Sequence, residues 1–183
     1  MRGVSVVVAP ESSAEVPAVR RVVRAAFGDD GDRVAGLLDA LRDSSAFVPG
    51  LSLVARERDD VVGHTLLTRA WLDAPDRLVE VLVLSPLAVA PHAQRRGVGT
   101  ALLVAARTHG STAGWPLLFL EGDPRFYSTR GFAAAGPLGF SSPSERIPAP
   151  AFQVAVLPTH EPWMTGRLVY PDPFWASDCV GLR

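Results

Sequence analysis

Hydrophobic residues in this chain repeat with period two in some stretches and with helical spacing in others, and the switches between the two outline its elements. Residues 4–8 read as a first strand. Ser12 and Glu15 stand at capping-box spacing, and Val16, Val19, Val22, Val23 and Phe27 follow at helical intervals, so the pattern predicts a helix over residues 14–27. Asp29-Asp30-Gly31-Asp32 reads as a loop whose last aspartate caps a second helix, with Val34, Leu37, Leu38 and Leu41 on its buried face. Residues 51–58 and 61–71 flank Asp59-Asp60 as a hairpin, and residues 79–89 form a long strand. A helix over 97–109, a strand over 115–121, a short helix over 125–130 and a strand over 152–157 complete the order β-α-α-β-β-β-α-β-α-β. No internal repeat is visible.

From Pro158 onward the texture changes. Pro, Trp and Phe become dense, and Gly166-Arg167-Leu168-Val169-Tyr170 is the only strand-like piece. Residues 1–157 are therefore expected to form the main domain. Residues 158–183 are an extension that packs on it, adds a strand to it, or reaches a partner subunit, with a homodimer as the working expectation.

Composition narrows the function classes. At 183 residues there is room for one domain, which buries about 70% of its unfolded surface. With 48% hydrophobic and 20% charged residues the chain is globular rather than disordered. A net charge of −1 supplies no basic field for nucleic acid. The single Cys179 excludes an internal disulfide or zinc cluster, fits a reducing compartment, and has no histidine near it in sequence to make it a nucleophile. His64, His92, His109 and His160 show no metal-ligand spacing, so no metal is expected. The longest uncharged apolar run, residues 81–91, is broken by Ser85-Pro86 and too short to span a bilayer. No signal-peptide pattern is visible. A soluble, cytoplasmic protein without membrane contact is expected.

The chemistry concentrates in one turn. The apolar strand through Leu87, Ala88 and Val89 runs into Gln94-Arg95-Arg96-Gly97-Val98-Gly99-Thr100, which opens directly onto an apolar-periodic helix. The first N–H groups of a helix lack carbonyl partners and carry partial positive charge, which favours a phosphate. Gly97 and Gly99 let a pyrophosphate approach the main chain, and Arg95 and Arg96 offer guanidinium donors. A P-loop requires a lysine, yet all 18 basic residues are arginine. A dinucleotide fold requires a third glycine that the turn lacks.

The turn resembles instead the acyl-CoA signature of the GCN5-related N-acetyltransferases (GNAT), Gln/Arg-x-x-Gly-x-Gly/Ala, with Gln94, Gly97 and Gly99 in its three positions. Downstream, Gly122-Asp123-Pro124 and Arg125-Phe126-Tyr127-Ser128-Thr129-Arg130-Gly131-Phe132 are similar to a second segment of that family and to a bacterial group of predicted acetyltransferases. The close resemblance spans about residues 80–135. It implies an α/β (α+β) fold, a mixed central sheet of six to seven strands flanked by about four helices. It also implies acetyl-CoA as co-substrate.

The resemblance places the cofactor contacts at Leu87, Ala88, Val89, Gln94, Arg95, Arg96, Gly97, Val98, Gly99 and Thr100. The strand backbone would hold the pantetheine arm, and its N–H groups would polarise the thioester oxygen. Tyr127 falls in the family position of the acid that protonates the departing thiolate; read from the residues alone, it is equally a core aromatic beside Phe126 and Phe132. A thiol near 8.5 and a phenol near 10 make that transfer feasible without a large shift. The base is less clear, because relatives that use a strand-four glutamate carry it where this chain has Val83. Strand alternation sets Ser85 on the face of Val83 and Glu80 on the other. Glu121, Asp123 or a water chain remain, with Glu121 read either as the base or as a solvated strand end. His64 is either a cleft residue or a core one. Asp29, Asp30 and Asp32 either draw a cationic amine to the cleft or serve as caps.

The sequence thus predicts acetyl transfer from acetyl-CoA to a primary amine, small molecule or peptide, by direct attack on the thioester. The alternative is a non-catalytic CoA-binding regulatory module, and a more distant one is an acyltransferase for longer chains. The identity of the acceptor is not written in the sequence.

Overall fold

Valine alternation at the start of the chain sets β1 (Val6–Pro10) antiparallel to β2 (Phe47–Glu57), which pairs in turn with β3 (Asp60–Asp73) across a tight turn. This computed structural model describes residues 6–181, so residues 4 and 5 of the first expected strand lie outside the described residues. β3 pairs with β4 (Leu78–Val89), β4 runs parallel to β5 (Leu117–Glu121), and β5 pairs antiparallel with β8 (Phe152–Val156). The two-residue β6 (Ala133–Ala134) closes that edge. Seven strands therefore follow one path, in the order β1-β2-β3-β4-β5-β8-β6. β9 (Gly166–Val169) pairs with β3 beyond the end of β2, and the short β7 (Phe140–Ser141) pairs with β9. The mixed sheet expected from the sequence is present, with the tail adding β9.

Helices cover both faces. α1 (Val16–Phe27) and α2 (Gly31–Arg42) pack on each other, and α1 lies over β3 and β4. α3 (Val98–Thr112) covers β1 to β4 on the other face. Consecutive residues on β3 show the two sides: a Cβ on Gly63 would meet Val98 and Leu102 of α3 at 2.9 and 3.0 Å, whereas the buried His64 points to Ser52 and Glu11. A short α4 (Pro124–Tyr127) and a short α5 (Asp172–Ala176) complete the set.

Several boundaries depart from expectation for identifiable reasons. β2 starts at Phe47 rather than residue 51 because Pro49-Gly50, a break by composition, sits in a bulge between the Phe47 and Ser52 pairings, with Gly50 at φ 83°. α2 starts at Gly31, so Asp32 lies in its first turn and bonds to Arg24 at 2.6 Å instead of capping. The capping box read from Ser12 and Glu15 is present, with the Glu15 carboxylate accepting the Ser12 backbone N–H at 2.8 Å.

One irregularity positions the site. β4 carries a bulge in which Ser85 and Pro86 stand opposite the single Leu66 of β3. Its parallel pairing with β5 is confined to Leu82↔Leu118 and Val83↔Phe119. Past that point β5 continues along β8, so the two parallel strands part and leave the β4 edge from Leu84 to Val89 without a strand partner among the described residues.

Candidate active site

The first cleft forms where β4 ends. The Ala90 N–H donates to Val62 on β3, and ladder alternation then turns the N–H groups of Leu87 and Val89 toward the open fork. The Gln94 amide reaches back to the Val89 carbonyl at 3.1 Å, closing the loop between strand and helix. Gly97 caps α3 at φ 87°, and Arg95 stands at φ 60°, a conformation that non-glycine residues seldom adopt. The first helical bond runs from Ala101 to Gly97, so the N–H groups of Val98, Gly99 and Thr100 precede the ladder. These residues, with Leu87, Val89, Gln94, Arg95 and Gly97, line a cleft of about 410 Å3. Unpartnered helix N–H groups, two glycines and a guanidinium are the donor set a pyrophosphate requires.

Two residues named from the sequence stand apart from this cleft. Arg96 pairs with Glu57 and lies outside the lining. Ala88 is buried with its side chain off the cleft. Conversely, sequence reading missed Arg130. Its Nε donates to the Thr100 hydroxyl at 2.8 Å, and its guanidinium lies 4.0 Å from the centre of the Phe126 ring, inside the cleft. The signal was there: an arginine just before the Gly131-Phe132 of the second segment.

A second cavity, of about 280 Å3, lies on the α1–α2 side of the fork and shares Phe27 and Leu87 with the first. Glu121 enters it from the end of β5. Its Oε1 accepts the Tyr170 hydroxyl at 2.8 Å and its Oε2 the Gly181 N–H at 3.0 Å. Burial pushes its carboxyl above the ordinary range, against the opposing pull of those two donors and of Arg146. The reading of Glu121 as a solvated strand end is therefore corrected: the tail covers it.

Tyr127 lines the same cavity. Gly-Asp-Pro sets it there. Asp123 caps α4 by accepting the Arg125 N–H at 2.9 Å, Pro124 fills the first turn, and Tyr127 ends the helix. A Cβ on Gly122 would fall 2.1 Å from the Tyr127 ring, so only glycine leaves the ring its place. The ring stands edge-on to Phe126 and Phe132 at 4.9 and 5.9 Å. Burial raises its hydroxyl to about 12, a correction to the expectation of a phenol near its ordinary value.

The remaining candidates separate cleanly. Asp123 is exposed, held low by Arg125, and lines neither cavity. Val83 and Ser85 both face the second cavity, while Glu80 pairs with Arg69 at 3.1 Å. Asp30 also lines it, bound to Arg33 at 2.8 Å. His64 belongs to the core, with its Nε2 2.9 Å from the Ser52 hydroxyl, and burial pushes its pKa down against the opposing pull of Glu11. Cys179 lines the cavity too, but burial pushes its thiol up and keeps it protonated. No cluster that could hold a metal occurs among the described residues, and no helix among them is long and apolar enough to cross a membrane.

Comparison with known proteins identifies the family. The family model for the acetyltransferase (GNAT) domain matches residues 8–135. The chain is 38% identical over 128 residues to the uncharacterized N-acetyltransferase YjhQ of Escherichia coli, covering 68% of each. Its fold is similar to E. coli YhbS, solved in complex with CoA, with a TM-score of 0.83 and 22% identity over 95% of this chain and 94% of that one. A Brucella melitensis GNAT acetyltransferase, solved in complex with acetyl-CoA, aligns with a TM-score of 0.73 and 25% identity over 93% and 99%. The chain belongs to the GNAT family of N-acetyltransferases.

Proposed function

We propose that the chain transfers the acetyl group of acetyl-CoA to a primary amine by direct attack, with no covalent enzyme intermediate. The observation that carries this reading is the meeting of two cavities at Phe27 and Leu87, one bounded by the α3 N-terminus and the other by Glu121 and Tyr127. Acetyl-CoA supplies a thioester carbonyl open to a nitrogen nucleophile. The N–H groups of Val98, Gly99 and Thr100, with Arg95 and Arg130, hold its pyrophosphate, and the Leu87 and Val89 N–H groups serve the pantetheine arm and the carbonyl oxygen.

Glu121 takes one proton from the incoming ammonium, because an amine near 10.4 is almost wholly protonated at neutral pH. Its raised pKa makes it a stronger base than an exposed glutamate. The nitrogen then bonds to the carbonyl carbon as the C–S bond breaks. Tyr127 meets the departing sulfur with its hydroxyl. Full transfer from a phenol at about 12 to a thiolate near 8.5 would cost about 5 kcal/mol, so Tyr127 stabilises the thiolate as a hydrogen-bond donor. The proton that finally rests on sulfur comes from the nitrogen, which loses its second proton as the amide forms.

A second reading of Glu121 has its own observation. Both of its oxygens fasten the tail, at Tyr170 and Gly181, which makes it a positioning residue for the cavity wall. Steady-state thiol release by wild-type and Glu121→Gln protein across pH separates the two. A loss that shrinks steadily as pH rises above neutral supports the base; equal loss at every pH supports the fastener.

A further inference from the structure

The acceptor cavity has a size and a charge pattern that restrict what it admits. Its volume is about 280 Å3, room for a small acceptor at the mouth of the thioester cleft. One part of its wall is apolar. Val34 and Leu37 come from α2, and the buried Phe174 of α5 stacks on Tyr170 at 4.7 Å. The charged groups lie elsewhere on the wall, and most are already matched. Arg33 gives one nitrogen to Asp30 at 2.8 Å and another to the Asp178 carbonyl at 2.9 Å. Arg146, which lies outside the lining, is drawn to the Asp178 carboxylate at 2.8 Å. The hydrogen bonds to Glu121 come from a phenol and a backbone N–H, both neutral, so among the described residues its carboxylate is the one charge in the lining without an ionic partner in contact.

We propose that the acceptor is a small, monocationic primary amine with an apolar body about one aromatic ring in size, an arylalkylamine in chemical class. The ammonium meets Glu121, and the ring occupies the space beside Tyr170 and Phe174. This inference rests on the assignment of Glu121 and Tyr127 above and extends it by naming the acceptor. Each competing class fails on a specific contact. An α-carboxylate on the acceptor would sit beside its own ammonium, and so close to Glu121, with Arg33 already engaged. The second ammonium of a polyamine would find beyond Glu121 only Asp30, which Arg33 already pairs at 2.8 Å, or the apolar wall of Val34, Leu37 and Phe174. Sugar hydroxyls turned toward Val34, Leu37 and Phe174 would lose water there without gaining a hydrogen bond. A peptide would bring its backbone against the tail, which gives Tyr170, Phe174, Cys179 and Gly181 to the wall.

The test uses the full chain. Thiol release from acetyl-CoA is measured with 2-phenylethylamine, hexylamine, phenylalanine, spermidine, glucosamine and a lysine-containing peptide, and binding of the same amines to CoA-loaded protein is measured by calorimetry. The expected kcat/KM for 2-phenylethylamine is at least tenfold above those for phenylalanine, spermidine, glucosamine and the peptide. Phe174→Leu should lower the ratio of 2-phenylethylamine to hexylamine turnover at least threefold without changing the Kd for CoA. Faster turnover of the zwitterion, the polyamine, the sugar or the peptide overturns the proposal, as does the failure of both apolar amines to react or bind. Binding of the arylalkylamine without turnover keeps the acceptor class and overturns the assigned roles of Glu121 and Tyr127 instead.

Discussion

Glu121→Gln tests the chemistry most sharply, because the structure predicts not only a loss but how that loss changes with pH. At pH 7.4 an amine of pKa about 10.4 is neutral in roughly one molecule per thousand. Wild-type protein uses the abundant ammonium and removes its proton at Glu121; the variant must wait for the neutral fraction. The kcat/KM for amine should therefore fall about 1000-fold at pH 7.4 and only about tenfold at pH 9.4, with the variant rising one decade per pH unit between them. Wild-type activity should be flat over that range. It should decline on the acid side as Glu121 takes up a proton, at a pH above the ordinary glutamate value because burial raises its pKa. The groups around Glu121, namely Tyr170, Asp30, Arg33, Cys179 and Arg146, accompany it in both proteins. Structural damage is measured separately. Gln retains one acceptor for Tyr170 or Gly181 and turns an NH2 toward the other, a loss of about 1–3 kcal/mol that thermal unfolding reports. A variant within threefold of wild type at pH 7.4, or two pH profiles that run parallel, would refute the base assignment.

The other expectations are compact. Tyr127→Phe should lower kcat by about 10²–10³-fold at nearly unchanged KM for acetyl-CoA, since the ring contacts survive and only the hydrogen bond to the thiolate is lost; full activity across pH 6–9 would remove the sulfur-directed role. Gly97→Asp or Gly99→Asp should abolish CoA binding by calorimetry while far-UV circular dichroism stays near wild type, because each sets a carboxylate at the helix N-terminus where phosphate is expected. Arg95→Ala and Arg130→Ala should each weaken CoA binding by about 1–3 kcal/mol, whereas Arg96→Ala, paired with Glu57, should change it much less. Burial alone would push Glu11 up, but His64, Arg42 and Ser52 outweigh it and hold the carboxyl at about 2. A lowered carboxyl contributes stability that is present above its unfolded value of about 4.5 and lost as pH falls toward 2, so Glu11→Gln should flatten the acid limb of a plot of Tm against pH.

What the sequence made legible is what local chemistry determines. The phosphate turn needed only a strand, two glycines and an amphipathic helix in succession, and all lie within one stretch of chain. The long strands announced themselves by alternation. β6 and β7, at two residues each, are too short to show a period, and α5 starts at Asp172-Pro173 inside a stretch that reads as irregular. The site residues that escaped notice depend on contacts between distant positions: Arg130 to Thr100 across 30 residues, Tyr170 to Glu121 across 49, and Gly181 to Glu121 across 60. Arg96 was misplaced for the same reason, since Glu57 is 39 residues away.

The replaced carboxylate shows how register turns such a gap into an argument. Relatives that use a strand-four glutamate hold it at the position of Val83, and Val83 pairs in parallel with Phe119 on β5. Alternation places Glu121 on the same face as Phe119, two residues further along, so it lies one strand over and about 6.6 Å forward of Val83. β4 and β5 part at that pairing, which gives a carboxylate on β5 access to the cavity that opens from the fork. On the proposed reading, the base has moved across the fork rather than disappeared. The move has a structural consequence. A carboxylate at Val83 would project from a strand bonded to β3 throughout, whereas Glu121 ends its strand and must be steadied by the tail, through Tyr170 and Gly181. Removing the Tyr170 hydroxyl by Tyr170→Phe should therefore disturb this active site although the residue lies outside the matched GNAT segment, residues 8–135. With one donor gone, the Glu121 carboxylate is less stabilised, its pKa rises further, and the acid limb of kcat/KM moves to higher pH while the plateau rate changes little. An acid limb that stays where it was would show that the tail covers Glu121 without tuning it.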